Sequence, residues 1–175
     1  MADMSYPIGE FQAQPEVAEA TRQHLIESLA EAPARLRKAI EGLSAHQLDT
    51  PYRPGGWTVR QLVHHLADSH MNSYIRMKLA VTEEAPLVKP YDEKRWAELH
   101  DGRAALPEMS VALLEALHRR WVLFLLSLVP EDFERIFRHP ESGVLSLDTA
   151  LQYYEWHGRH HIAQITSLRE RMGWT

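Results

Sequence analysis

Near its C-terminus the chain reads Trp156-His157-Gly158-Arg159-His160-His161-Ile162, three histidines in one short stretch of a protein with no cysteine. Leu147, Leu151, Tyr154, Gly158, His161, Ile165, Leu168 and Met172 follow one another at alternating steps of four and three, the spacing of a helix seam that faces a core. His161 therefore lies on a buried stripe. His157 is three after Tyr154 and four before His161, so it shares that face and the two rings can converge on one point. Each imidazole has two nitrogens that need partners, and one metal ion engages both rings. His160 is rotated roughly 100° from His161 and looks elsewhere. The spacing is not that of the zinc proteases, because no glutamate stands between the pair to act as a base. Gly158, on the same seam, is expected to remove bulk beside the rings.

With cysteine absent, a third ligand has to come from His, Asp or Glu on another helix. The source is Val63-His64-His65-Leu66-Ala67-Asp68-Ser69-His70. If Val59, Leu62, Leu66, Ser73, Met77 and Ala80 form the core face, His64 points nearly opposite to it, His70 falls within it and His65 lies on its flank. Periodicity slightly favours His70. His65, however, heads a polar column of Asp68, Ser69, Asn72 and Arg76 that would wall a pocket. From spacing alone the choice stays open.

These residues need a scaffold, and 175 residues suffice for one domain, 1–175, with a hydrophobic core of its own. Hydrophobic residues make up 45% and charged ones 25%, ordinary for a globular protein. The net charge of −5 and a pI near 6.1 give no attraction for phosphate backbones or anionic lipid, so neither nucleic acid nor a membrane is an expected partner. The start, MADMSYPIGE, lacks the basic and apolar stretches of a secretory signal, and the expectation is a cytoplasmic protein.

Four segments carry helical periodicity and none carries sustained strand alternation, which predicts an all-α protein. The first runs from Pro15 to Leu43, with Pro33 inside it expected to kink or split it. The second opens on a Thr58/Gln61 capping box and runs to about Val81. A long polar connection follows, with a short helix over Asp92 to Leu99. The third starts near Ser110, carries Leu113, Leu114, Leu117, Trp121, Phe124, Leu125 and Leu128, and stops at Pro130; its wide apolar surface suits a central helix or a subunit contact. Glu131 to Val144 reads as a short helix and a turn. The fourth helix spans Ser146 to Gly173, a C-cap. Four long helices so connected predict a four-helix bundle, which builds metal sites from facing helices.

Blocks distributed over the whole chain carry a resemblance. Ser5-Tyr-Pro-Ile-Gly-Glu10, Leu48-Asp-Thr-Pro-Tyr-Arg53, Gly55-Gly-Trp-Thr-Val-Arg-Gln61, the run from His64 to Arg76, Pro90-Tyr-Asp-Glu93, Trp156-His157, His160-His-Ile-Ala163 and Arg171-Met-Gly-Trp174 resemble the YfiT branch of the DinB superfamily. The resemblance implies a four-helix bundle, a homodimer and one divalent metal per subunit, zinc or nickel, held by three histidines. Carried over, these ligands are His65, His157 and His161. A small-molecule substrate is implied as well.

Three neutral imidazoles leave an ion its full charge and an open position, the arrangement of a catalytic site. A water there is acidified for hydrolysis, and a thiol loses its proton outright. Because members of the superfamily use low-molecular-weight thiols such as bacillithiol, thiol S-transfer to an electrophile is the leading expectation. Metal-dependent hydrolysis is the alternative, and a non-catalytic metal-binding or stress-related protein represents a third class. Asn72 and Arg76 are expected to bind an anionic group of the substrate. Tyr154 is read either as a substrate contact or as a core residue.

Overall fold

A computed structural model describes residues 4–174, so Met1–Asp3 of the stretch read for a leader lie outside it. The elements are α1 (Glu19–Ile40), α2 (Ala45–Leu48), α3 (Val59–Thr82), α4 (Glu93–Ala97), α5 (His100–Ala104), α6 (Pro107–Leu126), a 3-10 helix (Pro130–Glu134), β1 (Ile136–His139), β2 (Gly143–Ser146) and α7 (Leu147–Met172). α1, α3, α6 and α7 form a four-helix bundle. The helix ends follow the local chemistry. Thr58 accepts from the Gln61 amide at 3.1 Å while the Gln61 side chain accepts from the Thr58 amide at 3.0 Å, closing the capping box of α3. Gly173 ends α7 in the left-handed region at φ 64°, a conformation open to a residue without Cβ.

Three expectations require correction. The helical class holds, but the segment Glu131 to Val144, expected as a short helix and a turn, also carries a hairpin: β1 and β2 pair antiparallel over four residues, Phe137 opposite Leu145, too short for alternation to register. α6 begins at Pro107, three residues ahead of Ser110, because proline at the first helical position lacks only an amide the helix would not use. α1 begins at Glu19 and runs through Pro33 without a break. Pro33 has no amide hydrogen for the Leu29 carbonyl, and His118 Nδ1 replaces it as donor at 2.7 Å.

Around the bundle α1 packs on α6, α6 on α3, α3 on α7 and α7 on α1, so the first and second long helices, α1 and α3, stand diagonal. The interior divides into two apolar clusters. Leu29, Met77, Trp121, Leu125, Phe137 and Leu151 belong to one, and Leu36, Leu62, Leu66, Leu114, Ile165 and Leu168 to the other. Between them, on each of α3, α6 and α7, the core stripe turns from apolar residues to buried histidine: His65 and His70, His118, and His157 and His161. The segment before α1 is laid over α7, with the Gln14 amide donating to Gln152 Oε1 at 2.8 Å and Phe11 edge-on to Tyr153. No described helix is long and apolar enough to cross a membrane.

Gly158 sits where α7 meets α1, facing His70 and Ala32 rather than the ligand rings. A Cβ there would lie 3.5 Å from His70 Cε1 and 3.7 Å from Ala32 Cβ, ordinary contact distances. Glycine inside a helix costs about 1 kcal/mol relative to alanine. Gly158→Ala is therefore expected to raise Tm by roughly 2–4 °C. Thermal unfolding followed by circular dichroism checks this, and a lower Tm would mean that the His70 ring needs the space.

Candidate metal centre

His65 on α3 and His157 and His161 on α7 bring one ligand atom each to within 4.8 Å of one another. His65 Nε2 is 3.2 Å from His157 Nε2, which is 3.1 Å from His161 Nε2. A tetrahedral ion with metal–nitrogen bonds of about 2.0–2.1 Å spaces its ligand nitrogens roughly 3.3 Å apart, close to the spacing of these two pairs. All three side chains are buried, at 5%, 6% and 8% exposure. Burial pushes His65 down to about 4 and His157 and His161 well below the usual histidine range, with neighbouring imidazoles adding to the shift. The rings are thus neutral near pH 7, the form a metal needs.

The proton of His161 can be placed. Gln164 Nε2 donates to the Ser5 carbonyl at 2.9 Å, which turns Gln164 Oε1 toward His161 Nδ1 at 2.8 Å. A carbonyl oxygen only accepts, so Nδ1 carries the hydrogen and the Nε2 lone pair faces the cluster. Orientation of a ligating imidazole by a hydrogen bond to its other nitrogen is the usual support of a metal site. Sequence reading missed Gln164, although its position three residues after His161 marks it as a neighbour on the helix surface.

The other histidines are engaged elsewhere. His64, expected opposite the core, is buried because the chain around α5 covers it: its Nδ1 lies 2.7 Å from Ser110 Oγ and its Nε2 3.1 Å from the Ala105 carbonyl. His70, which periodicity favoured, stays out of the cluster and turns to His118 and His157. His160 stacks on Trp156 at 4.6 Å and accepts from Gln164.

A cavity of about 390 Å³ reaches the centre at His157, lined also by Ser69, Arg76, Tyr91, Glu93 and Tyr154 among others. Arg76 is 7% exposed; it donates to the Lys89 carbonyl at 3.0 Å and to the Tyr154 hydroxyl at 3.4 Å, and its Nε has no partner among the described residues. A guanidinium on a cavity wall suits an anionic ligand. Burial pushes the Glu93 carboxyl and the Tyr91 hydroxyl up. Asn72 does not line this cavity, contrary to expectation: its amide turns back to the Asp68 carbonyl at 2.8 Å. Tyr91 and Glu93 escaped sequence reading because Tyr91 lies in irregular chain and Glu93 opens the five-residue α4, too short for periodicity to assign a direction.

Fold and centre together define a four-helix-bundle protein with a buried tri-histidine cluster open to one cavity. The DinB superfamily matches residues 28–165, and the chain belongs to that superfamily. Over 174 residues it is 52% identical to YfiT of Bacillus subtilis strain 168, covering 99% of this chain and 98% of that one. A protein of Oceanobacillus iheyensis is 53% identical over 169 residues, covering 97% and 98%. Both relatives are provisionally named metal-dependent hydrolases. The solved structure of YfiT, described as a probable metal-dependent hydrolase with an unusual four-helix bundle topology, superposes with a TM-score of 0.97 at 53% identity over 98% of this chain and 99% of that one. TT2238, a four-helix bundle protein 20% identical over 81% of this chain and 95% of its own, shares the fold at a TM-score of 0.56.

Proposed function

We propose that the protein is a metal-dependent hydrolase of small molecules bearing an anionic group. The observation that carries this reading is the convergence of three Nε2 atoms, two of the contacts at 3.1 and 3.2 Å, beside a cavity that holds Arg76. His65, His157 and His161 hold one divalent ion per subunit, zinc or nickel. When bound, such an ion supplies Lewis acidity at neutral pH, lowering the pKa of a group at its open position. Arg76 takes the anionic group of the substrate, fixed for that task by its bond to the Lys89 carbonyl. Glu93, an exposed carboxylate on the cavity wall, is the proton acceptor. The names of the relatives support hydrolysis over thiol transfer.

S-transfer of a low-molecular-weight thiol is the second reading. It is favoured by the same guanidinium, which would take the carboxylate of a thiol cosubstrate, in a chain that has no cysteine of its own. Residues 1–175 act as one unit, in the cytoplasm, as a homodimer; exposed Leu106, Met109, Leu113 and Leu123 on and beside α6 support the last of these.

The test uses untagged protein loaded with zinc or nickel and a chromogenic ester that carries a carboxylate, with and without a small thiol. Turnover without thiol, abolished by a chelator, is expected. Arg76→Met is expected to raise KM about tenfold or more with a smaller change in kcat, as for lost ground-state binding. Product that requires the thiol would replace hydrolysis by transfer, and protein that takes up no metal would be non-catalytic.

A further inference from the structure

His157 does not stand alone behind its ligating nitrogen. Its Nδ1 lies 3.3 Å from His70 Nε2, His70 Nδ1 lies 2.8 Å from His118 Nε2, and His118 Nδ1 lies 2.7 Å from the Leu29 carbonyl. His70 and His118 are 1% and 2% exposed, and no carboxylate among the described residues hydrogen-bonds to either. The direction of this series is forced from one end. The Leu29 oxygen only accepts, so His118 carries its hydrogen on Nδ1 and offers a lone pair at Nε2. His70 must then donate from Nδ1 and accept at Nε2, and His157 must donate from Nδ1. What is left at His157 Nε2 is a lone pair, facing the lone pair of His161 at 3.1 Å with no hydrogen between them. Two such acceptors repel each other unless a cation lies between.

The anchor is built by a proline. In an α-helix the Leu29 carbonyl would accept from the amide of residue 33, and Pro33 has none. That carbonyl is free for His118. From it the series passes from α1 to α6, from α6 to α3 and from α3 to α7, one step across each packed pair of helices, in the layer between the two apolar clusters. The His70 and His118 rings are nearly parallel, at 6°, and the Trp121 indole stands edge-on to both at 5.7 Å. Neither imidazole can rotate to reverse its bonds without breaking this packing.

We propose that His118 and His70 are a positioning relay, anchored on the carbonyl that Pro33 frees, which holds His157 with its hydrogen on Nδ1 and its Nε2 lone pair turned to the metal centre. Free histidine favours the opposite tautomer, so the relay prepares the ligand before an ion arrives. The functional consequence rests on the reading of His65, His157 and His161 as metal ligands, whereas the tautomers do not.

Two measurements separate these parts. In metal-free wild-type protein with ¹⁵N-labelled histidine, long-range ¹H–¹⁵N correlation at pH 7.5 is expected to show His118, His70 and His157 each protonated on Nδ1 and bare on Nε2. His157 protonated on Nε2 would overturn the relay, whether or not any variant folds. Zinc affinity by chelator competition is then compared in His70→Gln and His70→Phe. Glutamine can accept from His157 and donate to His118, and its affinity is expected to stay within a few-fold of wild type. Phenylalanine can do neither, and the loss expected is roughly 10–100-fold, the usual cost of removing a partner behind a ligand. Equal affinity in a folded His70→Phe protein would overturn the positioning role. Pro33→Ala restores a competing amide to Leu29 and is expected to move the His118 Hδ1 resonance upfield; an unmoved resonance removes Pro33 from the relay. Wild-type protein that shows the three tautomers but binds no zinc would sink the metal reading and leave the hydrogen-bonded series standing.

Discussion

His161→Ala is expected to leave a folded protein that no longer retains metal. The substitution removes the Nε2 atom that stands 3.1 Å from His157 Nε2, so that two of three nitrogens remain. Loss of a partner behind a ligand costs roughly 10–100-fold in affinity, and loss of a direct ligand should exceed about 100-fold. Folding survives because alanine is the best helix former and the ring removed is neutral. Gln164 Oε1 loses its hydrogen bond, which costs about 1–3 kcal/mol where water does not replace it. His64→Ala is the control: that ring is bonded to Ser110 and the Ala105 carbonyl, away from the cluster. Metal content and zinc titration of both variants and wild type make the comparison. Stoichiometric zinc in His161→Ala, or its loss in His64→Ala, would show the ion to be held elsewhere.

The second large effect is on pH. Burial is the main cause that lowers His64, His65, His70, His118, His157, His160 and His161, with His65, His118 and His160 pushed down to about 4. In the unfolded chain each takes up a proton near pH 6.5. Between pH 6.5 and 4 the unfolded state therefore binds more protons than the native state, and stability falls as pH falls. An imidazole withdraws about 1.4 kcal/mol per pH unit for as long as it is protonated in the unfolded chain and neutral in the native one. Asp68, raised to about 6 by burial, acts in the opposite sense, as does Glu93, but seven groups outweigh two. A stability of about 5–15 kcal/mol would be exhausted within one to three units, so metal-free protein is expected to unfold near pH 5. Thermal melts in chelator at steps from pH 7.5 to 4.5 measure this. A Tm unchanged between pH 7 and 5 would mean that these rings are protonated or hydrated in the native state.

Much of this architecture was legible in the sequence, for identifiable reasons. Long amphipathic helices repeat one pattern many times, so α3 and α7 emerged with their caps at Thr58 and Gly173. The i, i+4 pair His157 and His161 was visible because both its residues interrupt an apolar stripe. The hairpin was not, since four residues per strand offer two alternations at most. His118 was overlooked although it carried a signal: it stands on the stripe Leu114, Trp121, Leu125, one polar residue in a core row. Pro33 was read as a breaker because propensity treats a helix in isolation, whereas here a side chain of another helix satisfies the carbonyl that it strands. The choice of His65 over His70 depends on how α3 is rotated against α7, a tertiary quantity that no single-helix periodicity contains.

The diagonal placement of α1 and α3 also orders the protein's assembly. Two consecutive hairpins do not build this bundle piecemeal, because its first two long helices each pack mainly on partners made later. His65 and His157 are 92 residues apart, and the second of them belongs to α7, which is made after α1, α3 and α6. On the proposed ligand set, a chain that has not yet made α7 offers one histidine of the three, so an ion can be captured only once α7 has joined the bundle.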